Sequence, residues 1–130
     1  AYDLLMRYKE NKTTIVSISG CNNIILQPIN DYFAFNHSIT TKLETENQKF
    51  TGDIIGKYVL KDVKWDWANK YTLLNNSKLN NSAFYADSIN DVPLLNMVKY
   101  PFVINPDKKM QSLAVKNNWE CLRWIKYYGY

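Results

Sequence analysis

The sequence predicts an α/β fold: a Rossmann-like, mostly parallel sheet with helices on both faces, plus a β-hairpin. Three observations predict it. Short β-prone stretches alternate with segments of helical periodicity, the pattern of strands joined by helical crossovers. Residues 38–56 interrupt that alternation with two β-prone stretches around a polar turn. The chain of 130 residues is 46% hydrophobic and 22% charged. That is enough for one core and ordinary for a globular protein, so a single domain over 1–130 is expected. Disorder, a collagen-like chain and a coiled coil are poor readings of the same numbers.

The elements follow in order. Residues 2–10 place Tyr2, Leu4, Leu5 and Tyr8 at helical spacing before the polar Glu10-Asn11-Lys12. Thr13 to Ser17 is β-branched and short, which predicts a buried strand. Ser19 to Asn23 reads as a loop or helix start, and Ile24 to Phe33 as a helix despite Pro28. Ser38–Glu44 and Phe50–Gly56 flank the polar Thr45–Lys49, a hairpin. In 62–74, Val63, Trp67, Tyr71 and Leu74 are spaced by four, four and three, an amphipathic helix. Residues 75–81 are a polar connection. Ser82–Ala86 predicts a second buried strand, and Val92–Val98 a short helix with Pro93 in its first turn. Pro101–Ile104 predicts a strand and 108–118 a helix. Residues 119–125 and the aromatic tail with Tyr127 and Tyr128 are ambiguous.

The net charge is +4, from 16 Lys+Arg against 12 Asp+Glu. The lysines are scattered, without the basic patch and interleaved aromatics that nucleic acid requires, so no nucleic-acid partner is expected. No apolar run approaches about 18 residues, so no membrane partner is expected either. The first residues lack the basic-then-apolar layout of a signal peptide. Cys21 and Cys121 are too few for a disulfide framework, which favours free thiols and a cytoplasmic location. With His37 they show no zinc-ligand spacing, and His37 reads as a structural or surface histidine.

The chemistry-bearing stretch is Asp87-Ser88-Ile89-Asn90-Asp91, where a strand gives way to a helix. Ligands of open α/β sheets bind outside the carboxyl ends of strands. Two carboxylates four residues apart there suit a hard cation such as Mg²⁺. The bland alternative is that Asp91 caps the next helix and Asp87 solvates a turn. Ser17 has a parallel position: read as ending its strand before a Ser/Gly/Asn loop, it could hold an anion with the amides of a helix N-terminus. Lys64, between Val63 and Trp65 at a helix start, would ordinarily be a solvated surface charge.

The order of these features resembles the haloacid dehalogenase (HAD) superfamily, and within it the phosphoserine-phosphatase-like branch. A serine at a strand end comes first, then a hairpin with Phe50-Thr51-Gly52-Asp53, then Lys64. Phe84 through Leu95 resembles the branch's final motif, and Val103–Asp107 its usual continuation. The resemblance spans about residues 1–120. It implies phosphate-binding roles for Ser17, Lys64 and Asn90, metal-ligand roles for Asp87 and Asp91, and catalytic support from Lys64 and Asp91. It further implies a Mg²⁺-dependent hydrolase of a small phosphomonoester, with clamped oxygens, a divalent cation and a positive side chain sharing the phosphoryl charge. These five residues are expected to converge at the carboxyl edge of one sheet.

The sequence departs from that pattern at one point. The family's nucleophile comes from an Asp-x-Asp motif, and no two aspartates here are separated by a single residue. The chain therefore resembles the C-terminal part of a HAD core, with cap and nucleophile strand absent. Alone it is expected to be inactive and to bind Mg²⁺ weakly or not at all. An upstream segment or second chain is the expected partner, carrying a strand that fills a gap between two half-sheets; strand exchange or the aromatic tail are the other candidates for that gap. The alternative is a non-catalytic remnant that binds a phosphorylated ligand or a partner chain.

Overall fold

The computed structural model of the protein describes residues 1–124. The chain forms two compact units, Ala1–Ala68 and Asn69–Tyr130.

The first unit opens with helix α1 (Tyr2–Glu10), whose Asp3 lies in the first turn and Arg7 and Lys9 in the last, the arrangement a helix dipole favours. Strand β1 (Val16–Asn22) starts later than the sequence predicts and runs five residues further. The shift has two causes. Thr13 N donates to Tyr8 O at 2.9 Å, so this threonine finishes the helix. Beyond Ser17 the chain stays extended because strand β2 (His37–Glu46) offers a parallel ladder, Val16 opposite His37 through Ser19 opposite Thr40. The register then slips, and the next pairing is Asn22 with Thr41. β1 is half-buried rather than buried; β2 is its only strand neighbour among the described residues.

Helix α2 (Asn23–Phe33) lies against β1 and β2. Asn22 caps it by accepting from Ile25 N at 3.0 Å, and Pro28 sits inside it. The predicted hairpin is present, and its first strand serves twice. β2 pairs parallel with β1 over His37–Thr41, then antiparallel with β3 (Lys49–Ile55) over Lys42–Glu46. Asn47 and Gln48 make the turn at φ +50° and +62°, the left-handed pair that matches the twist of hairpin strands.

Helix α3 (Asp62–Leu74) has the predicted span and part of the predicted face: Val63 and Tyr71 are half-buried. Trp67 and Leu74 are exposed, while Lys64 and Thr72 are buried and Ala68 between them is half-buried. The two buried positions of the helix are therefore polar, and Lys64 is one of them.

The second unit is a three-stranded parallel sheet in the order β4 (Ala83–Ala86), β5 (Tyr100–Ile104), β6 (Glu120–Leu122). β6 resolves the ambiguous stretch after residue 118. Like β1, β4 is an end strand, and only Ala86 in it is buried. After β4 come a single 3-10 turn (Ile89–Asp91), helix α4 (Val92–Leu95), and, past β5, helix α5 (Lys108–Lys116). Asp107 caps α5, accepting from Met110 N at 2.7 Å. Ala86, Leu95, Val103, Met110 and Ala114 form the core, with Phe84, Val92, Leu113 and Trp119 packed against it. Tyr127 and Tyr128, candidates for filling a gap in the sheet, lie outside the described residues.

Candidate functional site

In the second unit the candidate residues share one turn. Asp87 follows directly on the last residue of β4 and is exposed. Ser88 Oγ accepts from Asn90 N at 3.2 Å, and Asp91 N donates to Ser88 O at 3.0 Å. These bonds fix the turn that carries Asp87, Asn90 and Asp91 at the carboxyl end of a parallel strand, where α/β folds place ligands. Asn90 is exposed. Asp91 is only 6% exposed, and although it stands at the start of α4 its side chain makes no capping bond there. The bland reading of Asp91 as a helix cap therefore fails. A carboxylate is rarely buried without a demand on its charge.

In the first unit the two serines of β1 differ. Ser17 is the second residue of the strand, so the expectation that it closes the strand is corrected. Its hydroxyl donates to Asn30 Oδ1 at 2.9 Å and lies 2.7 Å from Ser38 Oγ, which also accepts from Asn30 Nδ2 at 2.8 Å. That ring ties β1, α2 and β2 together and uses the hydroxyl that the resemblance assigned to phosphate.

Ser19, which the sequence reading passed over, is the last residue of the regular ladder with β2. Its Oγ accepts from Cys21 N at 3.1 Å, and its own hydrogen is left to donate. Gly20 follows, then the capped N-terminus of α2, a place with free amides for an anion. The Ser-Gly pair before Asn22 is the sequence signal for this position, hidden by a predicted strand end at Ser17, five residues short of the observed one.

Lys64 is also not the solvated charge that its residue type suggests: it is 9% exposed. Lysines are almost never so buried unless paired. Beside it the Trp65 indole Nε1 is buried with no hydrogen-bond partner.

Asp87 and Asp91 offer hard carboxylate oxygens, the donors that Mg²⁺ takes in a near-octahedral shell. Among the described residues no three or more His, Cys, Asp or Glu side chains gather into a metal cluster. The donor chemistry fits Mg²⁺, and the pair covers only part of its shell. Cys21 and Cys121 are free and exposed, and His37 is exposed at the start of β2. No helix among the described residues is long and apolar enough to cross a membrane.

Known proteins share this architecture. A histidinol-phosphatase from Neisseria meningitidis is 33% identical over 111 residues, 82% of this chain and 50% of that protein. A phosphoserine phosphatase from Mycobacterium tuberculosis is 31% identical over 83 residues, 64% of this chain and 27% of that protein. The chain thus spans half or less of the length of these relatives. Among solved structures, a protein of unknown function from Bordetella pertussis matches with a TM-score of 0.86 at 27% identity, covering 93% of this chain and 56% of that one. A substrate-bound phosphoserine phosphatase matches with a TM-score of 0.74 at 16% identity, covering 94% of this chain and 56% of that one, a likeness of fold. The family model for haloacid dehalogenase-like hydrolases matches residues 1–96, most of the chain, and the protein belongs to that family.

Proposed function

We propose that this chain carries the phosphate-holding and metal-holding groups of a HAD-type phosphomonoester hydrolase. One observation carries the reading above the others: Asp91 is buried on the turn after β4 without capping the helix that it precedes. Asp87 and Asp91 are the residues that would hold Mg²⁺. Bound there, the cation supplies charge neutralisation for the transferring phosphoryl group. Ser19 donates its hydroxyl to a phosphoryl oxygen, with the amides at the start of α2 beside it. Lys64 adds a positive charge held away from water, where it acts more strongly than on the surface. Asn90 contributes a polar side chain toward the phosphate.

The nucleophile is a carboxylate from a segment carrying Asp-x-Asp, in the same polypeptide or in another chain, since the sequence has no such pair. Histidinol phosphate and phosphoserine head the panel of substrates, on the names of the relatives.

The test is a phosphatase assay with Mg²⁺ on the 130-residue chain, repeated with the Asp-x-Asp segment added. Turnover is expected only with the segment, and to fall on Asp87→Asn. Turnover by the chain alone, lost on Asp87→Asn, would place the nucleophile among these residues. Phosphate binding without turnover in either mixture would make the protein a phospho-ligand binder instead.

A further inference from the structure

Three separate stretches of the first unit meet at one buried hydroxyl. Thr41 is 2% exposed. Its Oγ1 donates to Gly20 O at 2.9 Å and accepts from Val59 N at 3.1 Å. Gly20 belongs to the irregular end of β1, immediately after Ser19. Val59, also 2% exposed, belongs to the segment that leads into α3. From there the backbone runs into the first turn of the helix, where Val63 N donates to Leu60 O at 3.0 Å and Lys64 N to Lys61 O at 3.1 Å. The fit is close: a Cβ on Gly20 would stand 2.5 Å from Leu60 Cδ2 and 3.2 Å from Val59 O.

Threonine is not required here by its strand. A valine would fill the same space and suit β2 equally. What threonine adds is a hydroxyl that donates once and accepts once, on two segments that do not otherwise pair as strands. Both segments carry a group that the proposed function uses, Ser19 on one and Lys64 on the other.

We propose that Thr41 is a positioning residue: its hydroxyl holds the Ser19–Asn22 turn and the start of α3 in one fixed arrangement, so that the Ser19 hydroxyl and the Lys64 charge address the same phosphoryl group. The proposal rests on the phosphate-holding role given to those two residues. It adds a determinant that touches no substrate.

The experiment compares the 130-residue chain with Thr41→Val and Thr41→Ser. It measures backbone amide exchange and, by calorimetry, the affinity for inorganic phosphate. In Thr41→Val, exchange at Gly20–Asn22 and at Val59–Lys64 should rise together, with phosphate affinity falling about tenfold, the scale of a lost buried hydrogen-bond pair. Thr41→Ser, which keeps the hydroxyl, should restore both. Unchanged exchange in either segment of Thr41→Val overturns the clamp, as does a Thr41→Ser variant as impaired as Thr41→Val. If the wild-type chain binds no phosphate while the exchange pattern holds, the phosphate reading falls and the clamp stands. Should Thr41→Val unfold the unit, Gly20→Ala wedges the same junction from the other side with the hydroxyl in place. It should loosen Val59–Lys64 and leave the Val16–Ser19 ladder intact, and no loosening there overturns the proposal.

Discussion

Ser17 Oγ donates to Asn30 Oδ1 at 2.9 Å, and this bond ties the start of β1 to α2. The ring that it forms with Asn30 and Ser38 is half-buried and spans three elements. Ser17→Ala should therefore cost about 1 kcal/mol of stability, the usual net worth of such a bond, and leave phosphate affinity unchanged. Ser19→Ala should do the reverse. Denaturant unfolding and phosphate calorimetry on the two variants check this, and phosphate binding lost in Ser17→Ala but kept in Ser19→Ala would return the role to Ser17.

The comparison of the two serines also shows what the sequence made legible. Strand and helix order followed from β-branching and apolar spacing, because those report the backbone directly. The end of β1 did not, because Ser19 to Asn22 have low strand propensity and stay extended only through the ladder with β2. That pairing is long-range, so no local pattern announces it. The inward face of α3 was hidden for a related reason. Apolar spacing selects Val63, Trp67, Tyr71 and Leu74, of which Val63 and Tyr71 are half-buried, yet the most buried positions are Lys64 and Thr72. A helix whose most buried positions are polar breaks the rule by which apolar spacing orients helices. Asp87 and Asp91 were legible because their spacing and their place after a strand are both local.

The two aspartates should separate in their effects. Asp87 is exposed, so Asp87→Asn should leave stability within about 0.5 kcal/mol of the parent while removing Mg²⁺-dependent activity in the mixture with the Asp-x-Asp segment. Asp91 is 6% exposed, and Asp91→Ala should cost both activity and more than about 1 kcal/mol of stability, since the groups around a buried carboxylate lose their partner. Thermal unfolding beside the activity assay distinguishes them. Equal stability losses would mean that Asp87 is no more dispensable to the fold than Asp91.

The hairpin turn offers a test independent of function. Gln48 holds φ +62° at the second turn position, which glycine occupies without a Cβ penalty and which favours Asn-Gly pairs. Gln48→Gly should raise stability by about 1 kcal/mol, with no change in phosphate affinity. A lower unfolding midpoint would show that the Gln48 side chain contributes more than its backbone strain takes away.

The last prediction concerns the end strands. β1 has β2 on one side and β4 has β5 on one side, and neither has a second strand neighbour among the described residues. Their other edges carry backbone N–H and C=O groups that a strand can pair with, and such edges invite association. In dilute solution of the chain alone, roughly alternate amides of β1 and β4 should exchange quickly, because a strand directs its amides to either side in turn. Adding the segment that carries Asp-x-Asp should slow those same amides in both strands, and should not alter β5, whose two sides are already taken by β4 and β6. Exchange that is slow from the outset, in a chain that sedimentation shows to be monomeric, would mean that residues 1–130 already cover both edges. Slow exchange in a dimer or larger species would assign the cover to strand exchange between copies. Protection of one strand only on adding the segment would show that the incoming strand pairs with a single half-sheet.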